Sequence, residues 1–167
     1  TAHATTRASS PTRSVATKQA MATAFKELLQ SQPFEKISVS DICDRCNMNR
    51  KSFYYHFRDK FDLANWIFDT EFMEVAIQND IDVAADTENI ENRWNELKVV
   101  REYFYENRTF YYRLLQVDGQ NSFPEHFRSF IHPILRKRMP LIIGQRELSP
   151  MVYDFIVDGV AGVFERW

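Results

Sequence analysis

Glycine is scarce in this chain, with four among 167 residues, about 2% against an average near 7%. Gly119, Gly144, Gly159 and Gly162 stand too far apart to build a phosphate-cradling loop, which argues against dinucleotide and P-loop chemistry. Two cysteines cannot make a disulfide scaffold. No run approaches about 18 apolar residues and the polar N-terminus lacks an apolar signal segment, so the expectation is a soluble, cytoplasmic protein with no membrane partner. No strand-like alternation and no internal repeat stand out. No Ser/His/Asp set or carboxylate pair has the spacing of a shared site, so neither an enzyme nor a cofactor is expected. The net charge of −2 argues at first against a nucleic-acid partner.

That average hides an asymmetry. Residues 1–60 carry ten basic and five acidic side chains, whereas residues 61–167 carry eleven and eighteen. A basic first part joined to an acidic body is the pattern of a nucleic-acid-facing module attached to a module with other work.

The length suffices for one or two modest domains with a real core. Residues 1–13, small and polar, read as a mobile arm. From there the apolar periods are helical. Ala16, Ala20, Ala24 and Leu28, widened by Met21, Phe25 and Leu29, predict a first helix from about Ser14 to Gln30, stopped by Pro33. Val39, Ile42, Cys43 and Cys46 fit a short second helix, and Phe53 with Phe57 gives the inward pair of a third. A fourth runs from about Asp59 to Gln78, and further helices are expected at about 89–106, 108–117, 122–139 and 149–167, with a kink or break at Pro133. The fold class is all-α.

The segment 37–57 carries the chemistry. Ser38 followed by Asp41 fits a capping box, and Ile37 with Ile42 fits a hydrophobic staple, so one helix start is doubly specified. Asn47 suits the left-handed residue that follows a helix end, and Asn49 can cap the next helix. Two short helices joined by such a turn make a helix-turn-helix. At about 100° per residue, burying Phe53 and Phe57 turns Lys51 and Tyr55 outward, flanked by Ser52 and Tyr54, with Arg50 in the first turn and His56 at the border. No carboxylate lies between Asp44 and Asp59, as a surface pressed against phosphates requires. Lys60 can add a further phosphate contact.

These features, with the run Phe53-Tyr54-Tyr55-His56-Phe57 followed by Asp59-Lys60-x-Asp62-Leu63, resemble the TetR family of transcriptional regulators over about residues 15–75. The resemblance implies a three-helix DNA-binding domain at about 14–60. A helical ligand-binding and dimerisation domain at 61–167 would follow, with the fourth helix as connector. It also implies a homodimer on a pseudo-palindromic double-stranded DNA operator, regulated by a small-molecule or protein effector. Carried over by position, the DNA contacts fall on Thr17, Ser38, Val39, Asn49, Arg50, Lys51, Ser52, Tyr54, Tyr55, His56 and Lys60. Cys46 and Asn47 stand where the family usually has a small residue and glycine, and Asn49 where it has serine or threonine. Tyr105-Glu106-Asn107-Arg108-x-Phe110-Tyr111 and Gly119-Gln120-Asn121-Ser122 resemble the branch that includes regulators of the dihydroxyacetone-kinase operon.

Cys43-x-x-Cys46 falls on an apolar stripe with no second ligand pair, and His126 and His132 share no helix face, so no metal is expected. Aromatics abound past residue 60. Most of them suit a core, and an effector pocket among them would take Trp66, Met73, Trp94, Tyr103, Phe104, Tyr111 and Phe127. In the last helix Val152, Phe155, Ile156, Gly159, Val160, Gly162, Val163 and Trp167 offer an apolar face suited to dimerisation. No cap signal accompanies the end at Trp167, which leaves room for the natural chain to continue. A helical protein-binding adaptor with little DNA binding is the alternative reading.

Overall fold

A computed structural model describes residues 13–79, 81, 90–117, 122–142 and 148–166. The arm at 1–12, the acidic connection at 82–88 and Trp167 lie outside the described residues. Among those described there are eight α-helices and no strand. They are α1 (Arg13–Ser31), α2 (Val39–Arg45), α3 (Arg50–His56), α4 (Lys60–Gln78), α5 (Ile90–Glu106), α6 (Arg108–Leu115), α7 (Phe123–Ile142) and α8 (Pro150–Glu165), with one 3-10 turn at Phe34–Lys36 between α1 and α2. Pro33 signals where α1 stops, but no spacing in the sequence announces this turn.

Apolar spacing decides what each helix buries. Met21, Ala22, Phe25 and Leu29 of α1 meet Ile42 and Cys43 of α2, Phe53 of α3 and Leu63 and Ile67 of α4 in one buried cluster. That cluster continues without a gap into the body through Phe68, Phe104, Phe110, Tyr111, Phe123 and Phe127. Phe68 sits at its centre, fully buried, with ring centroids of Phe72, Phe123, Phe127 and Phe130 at 5.4, 5.5, 5.9 and 4.9 Å, mostly edge to face. α1 packs on both α2 and α6, while α7 packs on α8 and on α4. The two N-terminal short helices are therefore carried on α1 and α4, and α6 is a body helix that reaches α1.

Of the kink or break expected at Pro133, the break needs correcting: α7 is one helix through both Pro133 and Pro140. Proline removes one helical hydrogen bond and crowds the carbonyl four residues back. Here Pro133 and Ser129, which carries that carbonyl, are both exposed, so water can take the orphaned oxygen.

Candidate nucleic-acid interface

The capping box at the start of α2 is complete. The Asp41 amide donates to Ser38 Oγ at 3.2 Å, and the Ser38 amide donates to Asp41 Oδ2 at 2.7 Å. The Ser38 hydroxyl also donates to Asp41 Oδ2 at 2.7 Å, and this bond, with that of the Ser38 amide, holds the Asp41 carboxyl below its ordinary range. At the other end, Asn47 adopts φ 53° and is the one non-glycine residue with positive φ among those described. The Met48 amide then donates to the Cys43 carbonyl at 2.8 Å and the Asn47 amide to that of Asp44 at 3.3 Å, the crossed pair of a Schellman ending. Two residues on, Asn49 Oδ1 accepts from the Ser52 amide at 2.8 Å and opens α3. Each end of this turn is thus closed by a side chain or backbone group within a few residues of it.

Burying Phe53 and Phe57 against the core fixes how α3 faces outward. Tyr55 is 83% exposed and Tyr54 51%. Arg50 and Lys51 are also exposed, and Ser52 and His56 are half-buried at the border. The Arg50 guanidinium lies 6.0 Å from the Tyr54 ring centre, and the Tyr55 and His56 rings meet edge to face at 4.9 Å. The outer face is basic, hydroxylated and aromatic, with donors on every residue from Arg50 to Tyr55 except Phe53.

The remaining positions taken from the resemblance are placed differently. The Thr17 hydroxyl turns back on its own helix to the Arg13 carbonyl at 2.9 Å. Val39 is half-buried against the core. Lys60 is half-buried as well, and its Nζ donates to the carbonyls of Phe34 at 2.7 Å and Ile37 at 2.8 Å. Sequence spacing places this lysine close after α3 but gives no sign of those backbone partners. Burial, foremost, pushes both the Cys43 and Cys46 thiols up, away from the thiolate form, and Cys46 Sγ donates to the Ile42 carbonyl at 3.1 Å. His126 Nε2 meets Asp69 Oδ1 at 2.7 Å and His132 Nε2 lies 3.4 Å from Asp154 Oδ1, so each histidine ties two helices together. Among the described residues no group of His, Cys, Asp and Glu could hold a metal ion, and no helix is long and apolar enough to cross a membrane.

Comparison with known proteins converges on this geometry. Residues 23–66 match the family of bacterial regulatory proteins, tetR family, and residues 92–167 match a transcriptional regulator C-terminal region. This chain belongs to the TetR family. A curated relative is the HTH-type dhaKLM operon transcriptional activator DhaS of Lactococcus lactis subsp. lactis (strain IL1403), 34% identical over 115 residues, or 69% of this chain and 56% of the relative. The chain spans little more than half the length of that protein. A solved structure, the dihydroxyacetone kinase operon activator DhaS, is 25% identical with a TM-score of 0.58, covering 91% of this chain and 84% of that one. These TetR-family relatives are transcriptional regulators, not enzymes.

The structure does not gather the expected effector residues around one cavity. Tyr103, Phe104, Tyr111 and Phe127 are buried and packed ring to ring in the core. Trp66 packs on Phe57 at 5.6 Å under the ammonium of Lys18 at 5.5 Å, and Met73 is 45% exposed on α4. The Trp94 side chain lies outside the described residues. A concave groove of about 400 Å³ does lie beside α6, lined by Phe104, Arg108, Thr109, Tyr111, Tyr112, Arg113 and Leu115. It shares only Phe104 and Tyr111 with the expected set. A signal for it does exist in the sequence: from Asn107 to Val117 the chain has no carboxylate and two arginines, the same cue that marks α3.

α8 turns Tyr153 and Val157 inward and leaves Phe155 78%, Val163 60% and Val152 39% exposed. Ile156 and Val160 are half-buried, Gly159 would admit a Cβ with nothing within 4 Å, and at Gly162 one would meet the end of Arg166 at 3.7 Å.

Proposed function

We propose that this protein is a sequence-specific, DNA-binding regulator of transcription that works as a homodimer on a pseudo-palindromic operator. The outward face of α3 carries the reading: four donor-rich side chains, Arg50, Lys51, Tyr54 and Tyr55, stand exposed on a helix with a capped start and a fixed roll, with no acid among them. In this reading α3 enters the major groove. Arg50, Lys51, Ser52 and Tyr54 to His56 divide phosphate and base-edge contacts among them, while Asn49, Ser38 and Val39 set the register. Residues 14–60 form the reading unit, α4 is the connector, and 61–167 receive a small-molecule or protein effector.

Two copies supply two half-sites about one helical turn, ~34 Å, or a multiple of it apart. The apolar strip of Val152, Phe155 and Val163 supports pairing of α7 and α8 with their copies in a four-helix interface. The role named for the DhaS relative, an operon's transcriptional activator, supports placing this chain among operon regulators.

The test begins by selecting genomic fragments with the purified protein and measuring mobility shifts on those recovered. Lys51→Ala with Tyr55→Ala should abolish specific binding while helix content and dimer remain. Unchanged binding would remove these residues from the interface. Failure of the wild-type chain to hold any fragment at any salt concentration would favour the adaptor reading, since phosphate contacts strengthen steeply as salt falls.

A further inference from the structure

α6 carries two cations and no acid of its own. Residues 61–167 hold eleven basic side chains against eighteen acidic ones, yet from Asn107 to Val117 there are Arg108 and Arg113 and no carboxylate. Neither arginine forms an ion pair among the described residues. Arg108 is exposed, and its Nη1 donates to the Tyr105 carbonyl at 2.9 Å, which leaves most of its donors to face outward. Arg113 is half-buried. Its Nη2 reaches the Gln30 carbonyl only at 3.5 Å, the outer limit of a hydrogen bond, and its Nη1 is buried with no partner in the chain.

A buried guanidinium nitrogen without an acceptor is costly, and native structures rarely leave one without a reason. Here the reason is at hand, because both arginines line the groove of about 400 Å³ together with the buried Phe104, Tyr111 and Leu115. That volume lies within the range of small-molecule sites, about 300–1,000 Å³. Aromatic and aliphatic walls suit a flat apolar body, and the planar forks of arginine suit a carboxylate or a phosphate. An anion in the groove would offset the uncompensated charge of Arg113 whichever nitrogen it meets. The acidic balance of the rest of the body disfavours a long polyanion at the same place.

We propose that this groove is a binding site for a small molecule with an aromatic body and an anionic head, a carboxylate or a phosphate, held by Arg113 and Arg108. The proposal deepens the reading that residues 61–167 receive an effector, and rests on it for its consequence in regulation. The site itself can be tested without DNA, by fluorescence titration of the whole chain with two dyes of one shape. Anilinonaphthalene sulfonate carries an anionic head, and N-phenylnaphthylamine has the same aromatic body without it. The wild type should bind the sulfonate more tightly by roughly tenfold, the worth of a charge-assisted hydrogen bond. Arg113→Gln should remove that advantage and leave the neutral dye unchanged, and Arg113→Lys should restore part of it. Benzoate or phenyl phosphate should displace the bound sulfonate where benzyl alcohol at the same concentration does not, and the more effective of the two assigns the head.

Equal binding of the two dyes would make the groove an apolar surface with no preference for anions and overturn the proposal. So would a sulfonate affinity indifferent to Arg113→Gln, or displacement by neither anion. Should Arg113→Gln fail to fold, Arg108→Gln, at an exposed position, should weaken the sulfonate by about two- to fivefold, and no change there would overturn the proposal as well. The displacing anion is then added to a duplex recovered by genomic selection. A changed affinity for that duplex joins the site to regulation. An unchanged one would refute the effector reading while the dye titrations still decide the site.

Discussion

α1 and α4 are joined, near the start of α6, by a half-buried ion pair whose strength can be worked out and tested. Lys26 of α1 donates to both oxygens of Glu71 on α4, at 2.9 and 2.8 Å, and approaches Asn107 Oδ1, in the corner between α5 and α6, at 3.4 Å. Its ammonium also lies 5.4 Å from the Phe110 ring centre. At 2.8 Å an effective dielectric of 20 gives a bare attraction of about 6 kcal/mol, most of which desolvation cancels. Exposed pairs retain about 0.2–1 kcal/mol, and breaking a fully buried pair costs about 3–5. With side chains 28% and 24% exposed, the pair belongs between these limits, and we expect a coupling of about 1–2 kcal/mol. The measurement is a double-mutant cycle with Lys26→Met and Glu71→Gln, read by urea unfolding at low and high salt. Glu71→Gln alone should lower the melting temperature by roughly 2–8 °C for a chain of this size. A coupling below about 0.5 kcal/mol would refute the placement of this pair as the joint between α1, α4 and α6, since only a solvent-screened contact is that weak.

Phe155→Glu should convert the proposed dimer to monomer in sedimentation equilibrium while leaving helix content intact, because the side chain is 78% exposed and loses little burial within its own chain; a dimer that survives would move the interface off α8. Phe68→Ala should cost about 3–5 kcal/mol in denaturant unfolding, since the ring is fully buried at the centre of the aromatic cluster; a loss under 1 kcal/mol would mean the cluster is not packed as described. The hydroxyls of Tyr103 and Tyr111 hydrogen-bond to each other in the core, and burial, foremost, raises the pKa of both phenols. The unfolded chain releases these protons near pH 10 while the folded chain keeps them, so stability is full below pH ~10 and falls as pH rises above it. Melts across that range should show a late tyrosinate absorbance step coincident with loss of helix, and Tyr103→Phe should make the decline shallower. Exposed phenols such as those of Tyr54 and Tyr55 ionise first; a tyrosinate signal already complete before helix is lost would refute the burial of the pair.

The helix-turn-helix is legible in the sequence because its specification is local. Ser38 and Asp41 bond across three positions, Asn49 and Ser52 across three, and Asn47 needs only its own tolerance of positive φ. Phe53 and Phe57, four apart, then fix which side of α3 faces out. Lys60 is hidden from such a reading for the opposite reason. Its partners are backbone carbonyls 23 and 26 residues away, and a carbonyl leaves no mark in sequence. Which aromatics would meet an effector is not legible, because aromatic spacing looks the same whether rings pack together or line a cavity. Polar placement separates the two cases. The groove beside α6 is lined by Arg108 and Arg113 together with the buried Phe104, Tyr111 and Leu115. Arg113 Nη2 reaches the Gln30 carbonyl of α1 at 3.5 Å, and Phe110 meets Phe25 of α1 edge to face at 6.3 Å. A displacement of α6 would therefore act on α1 directly, and α1 packs on α2 beside the Arg45–Glu27 ion pair at 2.8 Å. An effector received by residues 61–167, as proposed above, has no need to reach the aromatic core. It has only to bias the helix that already touches the reading unit, and the carboxylate-free stretch from Asn107 to Val117 is where that bias would enter.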